Sequence, residues 1–515
     1  MSKINQRGTT TNNGLGYSGN GNLQHVKSPE QVLYEIAVST LYGKEHNYYE
    51  PQDGIVKRLE AAVDTVVAKD NLDYVANVII HARTNMNIRT MPLLLTGLFA
   101  KALREQGKTY PQLRKVVCDV IQRADQITDM ISVARMLFGA EKAKSGAVSV
   151  QKMPMAFKRG IGDAFNKFDE YAFAKYNRNG AVKLRDVLRI VHPRSKDEAQ
   201  GLLFEKIMKD ELKTPYTWET RLSANGQADY KQLSNKDIWT ELVMSGDVGY
   251  MALLRNLRNI SQAGLDAQVE QKYVADVIAS RENVLKSKQF PYAFLDAYSA
   301  IESDGSTRIR TAISNALDHS FANLPVIGDN VWIIIDRSTS MRHSHYLTDN
   351  QTPIKTACLF ASALAKANAN ARNLKITMFS DNAKHIPMNT SDSIMVMTEY
   401  LMKNVYGGGT NLEAALVLKS SLGFEPDTIV VLSDMEVNQL QGGTVSKTFC
   451  VDAVKIAINL NSRDTTPIGE KAGWYQLAGW SEKLFDFIPA MRNGQSIVET
   501  LSKPYLGLGI KKLFS

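Results

Sequence analysis

Residues 331–341 read VWIIIDRSTSM. The apolar run Trp332 to Ile335 predicts a buried parallel strand. Asp336 stands at its carboxyl end, followed at alternate positions by Ser338 and Ser340. Open α/β sheets bind ligands just beyond the carboxyl ends of their strands. A carboxylate with two hydroxyls there offers hard oxygen donors, which suit Mg²⁺ or another divalent cation. One Asp cannot hold such an ion alone, so partners are expected at other strand ends. The loop Gly407-Gly408-Gly409-Thr410 presents a hydroxyl, and Asp434 ends a second apolar run in TIVVLSD, residues 428–434. Taken singly, an Asp or Ser after a strand is as often a cap for the next helix. Five such residues at loop positions of one βα pattern form a more specific signal.

At 515 residues the chain has room for two or more domains. Hydrophobic residues at 44% and charged residues at 22% are those of a globular protein. Cys118, Cys358 and Cys450 lie far apart in apolar surroundings. They fit reduced core thiols in a cytoplasmic protein and argue against a disulfide scaffold or a metal cluster. No apolar leader stands at the N-terminus, and no apolar run reaches the roughly 18 residues of a membrane span. The net charge of +8 is uneven: residues 321–515 hold 18 Lys and Arg against 17 Asp and Glu, and residues 1–320 hold 43 against 36. Basicity concentrated in one part of a chain favours nucleic acid as its partner.

Residues 1–24, rich in Gly, Asn, Thr and Ser, predict a disordered tail. From there to about residue 325 the apolar spacing is helical. Ser28 and Pro29 suit the start of a helix running to Val38. Further helices are predicted over 55–67, 72–82, 91–103, 110–123, 127–137, 236–243 and 248–257. Helices in succession with short connections predict an α-solenoid of paired helices. Residues 326–515 alternate strands with helices and predict a doubly wound, Rossmann-like α/β domain. Strands are expected over 332–335, 375–379, 428–432 and 453–459. The helices expected there cover 353–371, 391–403, 411–422 and 481–491, and the basic C-terminal tail is expected to pack back on the helical part. The glycine loop is not a P-loop, since no Gly-Lys-Ser/Thr follows it.

One stretch of the helical part is strongly cationic. Lys175, Arg178, Lys183, Arg185, Arg189, Arg194 and Lys196 are opposed only by Asp186. A helix from about Val182 to the residue before Pro193 places Arg185, Arg189 and His192 on one face. Leu184, Val187, Leu188 and Val191 take the other. Such a stripe can meet phosphates and release counterions. The plainer alternative is a solvated basic face, with His192 favoured by the helix dipole. Arg83, Arg89, Lys101 and Arg104 on earlier helices are further cationic candidates.

Two resemblances follow from these residues. The set Asp336, Ser338, Ser340, Thr410 and Asp434 resembles the metal-ion-dependent adhesion site of von Willebrand factor A domains. That resemblance implies Mg²⁺ held directly or through water, with one position open to a partner's carboxylate. The stretch KYNRNGAVKLRDVLRIVH, residues 175–192, resembles the TROVE module of the Ro 60 kDa autoantigen family. So do YMALLRNL at 250–257, Phe290-Pro291 with 293–298, Thr40 to Gly43, and Tyr48-Tyr49. A TROVE module at 25–325 followed by an A-like domain at 326–515 is that family's architecture. It implies HEAT-like repeats closed into a monomeric ring. It further implies small noncoding (Y) RNA on an outer basic surface, single-stranded 3′ ends of misfolded RNAs in a central hole, and an exoribonuclease as a partner. Its RNA-binding Lys, Arg and His fall on Lys175, Arg178 and His192; Arg185 and Arg189 come from helical spacing alone.

Three functions compete. The first is an RNA-binding ring serving RNA quality control. The second is a metal-dependent protein-interaction scaffold with no RNA role. A Mg²⁺-dependent nuclease or phosphatase needs clustered carboxylates and a general base. The sequence offers two well-placed acids among hydroxyls and no catalytic pairing among its 8 His, so the chain is not expected to be an enzyme.

Overall fold

A computed structural model describes residues 15–17, 23–39, 52–142, 148–176, 182–213, 218–225, 233–301, 305–342, 352–437, 449–461, 465–468 and 473–513. Arg178, Thr40 to Gly43 and Tyr48-Tyr49 lie outside this set. The chain forms two compact units. One comprises Ser28–Gly43, Gln52–Pro215 and Val498–Ser515; the other comprises Met1–Lys27, Lys44–Pro51 and Tyr216–Ile497.

The first unit is helical. Helices Gln52–Ala68, Met91–Glu105 and Asp125–Phe138 pack side by side, as do Leu72–Thr84, Leu113–Val120 and Met155–Ala164. Each helix therefore meets the next but one in the chain. Two rows of helices result, the layering of stacked helical pairs. The periodicity over 110–123 overshoots its helix, which is Leu113–Val120: Tyr110 precedes it and gives its hydroxyl to Asp73 Oδ1 at 2.6 Å, and Ile121 is extended. Residues 498–513 belong to this unit and pack against helices Leu72–Thr84 and Leu113–Val120, as the tail was expected to do.

The second unit opens with short helices and contains the sheet. The helix expected over 248–257 is two, Tyr250–Arg255 and Leu257–Ala263, parted at Asn256. The Asn256 side chain donates to the Ala252 carbonyl at 2.8 Å, in competition with the helix's own bonding. Helix Thr307–Ser320 ends the helical region and ties itself to the α/β layer through Asp318, which accepts from Ile394 N at 2.9 Å and pairs with Lys366 at 3.2 Å.

We number strands in chain order: β1 Leu15–Tyr17, β2 Leu23–Val26, β3 Ala140–Lys142, β4 Val148–Val150, β5 Asn330–Asp336, β6 Asn373–Phe379, β7 Ala383–Ile386, β8 Thr428–Ser433, β9 Val454–Asn459, β10 Thr465–Thr466 and β11 Trp474–Ala478. The main sheet has the order β11-β9-β8-β5-β6-β7, parallel except for the edge hairpin β6-β7. The chain leaves β5 for β6 on one side, through helix Pro353–Ala367, and returns to β8 on the other. The carboxyl end of β5 is thus a switch point, where such sheets open a crevice. β8 is buried throughout, and β5 at every position but its first, as expected of strands covered on both faces. β1 and β2 fall in or beside the stretch expected to be a disordered tail. Instead they pair with each other, and β2 pairs with β10. A composition average over 24 residues hides two runs of three or four that can join a ladder.

Candidate functional site

The candidate metal-binding loop grows from the register of the sheet. Ile335 pairs with Leu432 and Asp336 with Phe379, so Asp336, Ser433 and the start of the loop after β6 meet at one end of three strands. Asp336 is fully buried. Its Oδ1 accepts from Ser338 N at 2.8 Å and its Oδ2 from Ser433 Oγ at 2.6 Å. Ser338 Oγ and Ser340 Oγ lie 3.2 Å apart. Asp434 is also fully buried, and its Oδ1 accepts from Glu436 N at 3.2 Å. Met435 turns the chain just after it at φ 60°, where non-glycine residues are rare.

Thr410 arrives on a loop held on both sides. Thr339 N donates to Gly408 O at 3.1 Å, and Gly408 N to Thr339 Oγ1 at 3.0 Å. Gly409 N donates to Asp381 Oδ1 at 3.0 Å, and Asn411 N to Ser380 O at 2.7 Å. The glycines answer a steric demand. Gly408 has φ 108°, and a methyl on Gly409 would lie 2.5 Å from Asp381 Oδ1. The structure thus links Asp336, Ser338 and Ser340 by short contacts, sets Asp434 as the charge that acts on Asp336, and clasps the backbone around Thr410 to the ends of β5 and β6.

The donor set fits a small divalent cation. Burial, and then the Asp434 carboxylate, push the pKa of Asp336 well above the ordinary carboxylate range. Two buried like charges are costly unless a cation or a proton joins them. Ligands about 2.1 Å from Mg²⁺ and at right angles stand about 3 Å apart, close to the spacing of the two serine hydroxyls. Among the described residues no group of three or more His, Cys, Asp or Glu is placed to hold a metal, so hydroxyls must complete any such site. Sequence reasoning missed Ser433 and Arg337. The signal for Ser433 was its place beside Asp434 at the end of a strand next to β5. Arg337 is buried, donating to Asn404 O and Asn382 Oδ1 at 3.0 Å each, with its guanidinium 4.8 Å from the Tyr406 ring.

The cationic stretch lies in the other unit. Helix Leu184–Val191 buries Leu184, Val187, Leu188 and Val191, as predicted. Asp186 Oδ2 accepts from Lys183 N at 3.1 Å and steadies the first turn. Arg185 is half-buried; Arg189, Lys175, Arg194 and Lys196 are exposed. Among the described residues none of these five forms an ion pair with a carboxylate. His192 is exposed but does not continue the helical face. It is the C-terminal cap at φ 48° and ψ 63°, because Pro193 disfavours the α conformation in the residue before it. Three of the four earlier basic residues, Arg83, Lys101 and Arg104, make contacts within the fold, and Arg89 is exposed. Arg83 is buried, donating to Val120 O and Gln126 Oε1 at 3.1 Å each, and Lys101 pairs with Glu60 at 2.5 Å. Arg104 donates to Lys152 O at 3.0 Å.

Comparison with known proteins places this arrangement. The TROVE domain family model matches residues 22–211 and 205–382. The chain belongs to the TROVE domain family. The von Willebrand factor type A domain model matches residues 331–436, which include all five candidate metal ligands. The Ro (RSR) protein of Deinococcus radiodurans has the same fold, with a TM-score of 0.57 at 16% identity over 91% of this chain and 100% of that one. Telomerase protein component 1 of Mus musculus and of Rattus norvegicus are 34% and 33% identical to it over 91 residues. That match takes in 18% of this TROVE chain and only 3% of each telomerase component. Among the described residues no helix is long and apolar enough to cross a membrane.

Proposed function

We propose that this TROVE protein binds a small structured noncoding RNA of the Y type on the cationic surface formed by Lys175, Lys183, Arg185, Arg189, Arg194 and Lys196. The observation that carries this reading is the Leu184–Val191 helix. Its apolar side is spent on the core, while its arginines have no carboxylate to neutralise them among the described residues. Unneutralised guanidinium groups on a rigid helix suit phosphate oxygens, and structured RNA is recognised largely through its backbone and shape. His192 and Arg178 join the set by resemblance. The threading of single-stranded 3′ ends of misfolded RNAs through a central hole, for quality control, also rests on resemblance. In the same reading Asp336, Ser338, Ser340, Thr410 and Asp434 hold Mg²⁺, and the ion presents an open position to an acidic side chain of a protein partner such as an exoribonuclease. The chain is then a binder at both sites rather than a catalyst.

Gel-shift titration across a salt series tests the RNA half. Changing Lys175 and Arg189 to Ala should weaken binding and reduce the slope of log affinity against log salt by roughly 1 to 2. Circular dichroism should stay unchanged, since both side chains are exposed. An unaltered slope would place the RNA elsewhere. If the purified protein carries only polypeptides and binds no RNA, the scaffold reading takes its place.

A further inference from the structure

Helix Glu170–Tyr176 carries groups that phosphate binding leaves unused. Phe173 anchors it, fully buried, with its ring 5.8 Å from Phe165 and 5.9 Å from Phe168. Residues 171 and 175 lie one turn apart on a shared face. Tyr171 is 51% exposed, so its ring is open to a ligand while Phe173 holds the helix in place. Lys175 Nζ stands 5.7 Å from the centre of the Tyr171 ring and 5.9 Å from that of Tyr176. On the Tyr176 ring lies the Arg123 guanidinium, at 4.7 Å. Asp125 holds that guanidinium with two bonds, of 3.1 and 2.5 Å. A fixed arginine therefore backs Tyr176, and a lysine stands within reach of both tyrosines.

Aromatic rings interleaved with cations are what an unpaired nucleotide requires: a π face for the base and a positive charge for its phosphate. Paired bases hide their faces inside the helix, so only an unpaired base can use the rings. We propose that Tyr171 and Tyr176, with Lys175, form a stacking subsite for an unpaired nucleobase of the bound RNA. This rests on the RNA-binding reading above and adds to it. Tyr176 and Val182 are six residue steps apart, so their Cα atoms lie within roughly 22 Å. One RNA can therefore engage the arginine-bearing helix with a duplex segment and the tyrosines with the strand beside it.

The test uses the full chain and two RNA hairpins of identical stem, one blunt and one with a single-stranded flank that carries 2-aminopurine. Tyr171→Ala should weaken binding of the flanked hairpin roughly five- to a hundred-fold, the range that base–aromatic stacking spans. Tyr171→Phe should keep wild-type affinity, and both variants should bind the blunt hairpin as wild type does. The salt slope should not change, since no charge is removed. Quenching of 2-aminopurine should be present with wild type and Tyr171→Phe and absent with Tyr171→Ala. Loss of affinity for both hairpins alike, or no loss for either, overturns the subsite while leaving RNA binding in place. A wild-type protein that binds neither hairpin overturns the RNA reading and the subsite together.

Discussion

At the scale of single residues, Asp336 carries the most consequential chemistry. Its buried carboxyl, facing Asp434, holds a proton more tightly than an exposed acid does. In the metal-free protein the folded state therefore keeps a proton that the unfolded chain has released. The stability this group contributes is complete below the ordinary carboxylate range and is lost as pH rises through the raised value. A divalent cation takes the proton's place, so its benefit should grow in the same direction. Mg²⁺ at a hundred times its Kd is worth about 2.7 kcal/mol. We predict that the rise in Tm on adding Mg²⁺ is small near about pH 5, large near about pH 8, and absent in Asp336→Asn. Scanning calorimetry with and without Mg²⁺ would read it, and an equal shift at both pH values contradicts the argument. The five candidate ligands could be named from the sequence because each is a specific residue type at a strand end or in a loop that a βα pattern fixes. Ser433 was not, because a strand residue gains meaning only once the register places it against Asp336 at 2.6 Å.

At the scale of elements, the glycine loop and the cationic helix show where local sequence suffices and where it fails. The buried side of Leu184–Val191 followed from apolar spacing, and the end of the helix from Pro193. The place of His192 did not follow, since continuing the helical period by one residue ignores the backbone change that Pro193 imposes. In the same way β7 and β11 escaped notice, because AKHI and WYQLA carry no alternation long enough to separate a strand from a loop. The glycine loop is a stronger case of sequence stating a steric fact. Gly408 combines φ 108° with a position where a methyl would lie 2.4 Å from Asp381 Oδ2, whereas Gly423, at φ 78°, has open space where a side chain would go. Gly423→Ala should therefore cost only backbone strain, about 1 kcal/mol. Gly408→Ala should cost about 1–3 kcal/mol and also weaken Mg²⁺ uptake, because the clasp that presents Thr410 must shift. Urea unfolding and calorimetric Mg²⁺ titration of the two variants separate these effects. Equal losses in both would show that crowding at Asp381 plays no part.

At the scale of the whole molecule, the chain returns at residues 498–513 to the unit it built first. Its anchor is a single buried amide. Asn77, fully buried on helix Leu72–Thr84, donates to Leu501 O at 3.0 Å and Lys503 O at 2.8 Å and accepts from Leu506 N at 3.2 Å. Around it Leu501 and Ile510 are fully buried, and Tyr505 donates its hydroxyl to Asp119 Oδ2 at 3.2 Å. Hydrophobic burial gives this contact its strength, but it does not set the register of the segment, since apolar contact is not directional. Asn77 does set it, because its donor and acceptor must meet three backbone groups at once. Removing the amide leaves those groups buried without partners, at a cost of about 1–3 kcal/mol. A 16-residue segment held in this way should come loose before the helices beneath it unfold. We therefore predict that Asn77→Leu, which keeps the volume and loses the polarity, raises amide exchange in residues 498–513 roughly ten-fold or more, in line with that cost. Exchange in the rest of helix Leu72–Thr84 should change much less. Hydrogen exchange read by mass spectrometry distinguishes the outcomes: uniform deprotection of both would mean that the segment and the helix open as one cooperative unit, and an unchanged pattern would mean that apolar burial alone fixes the register.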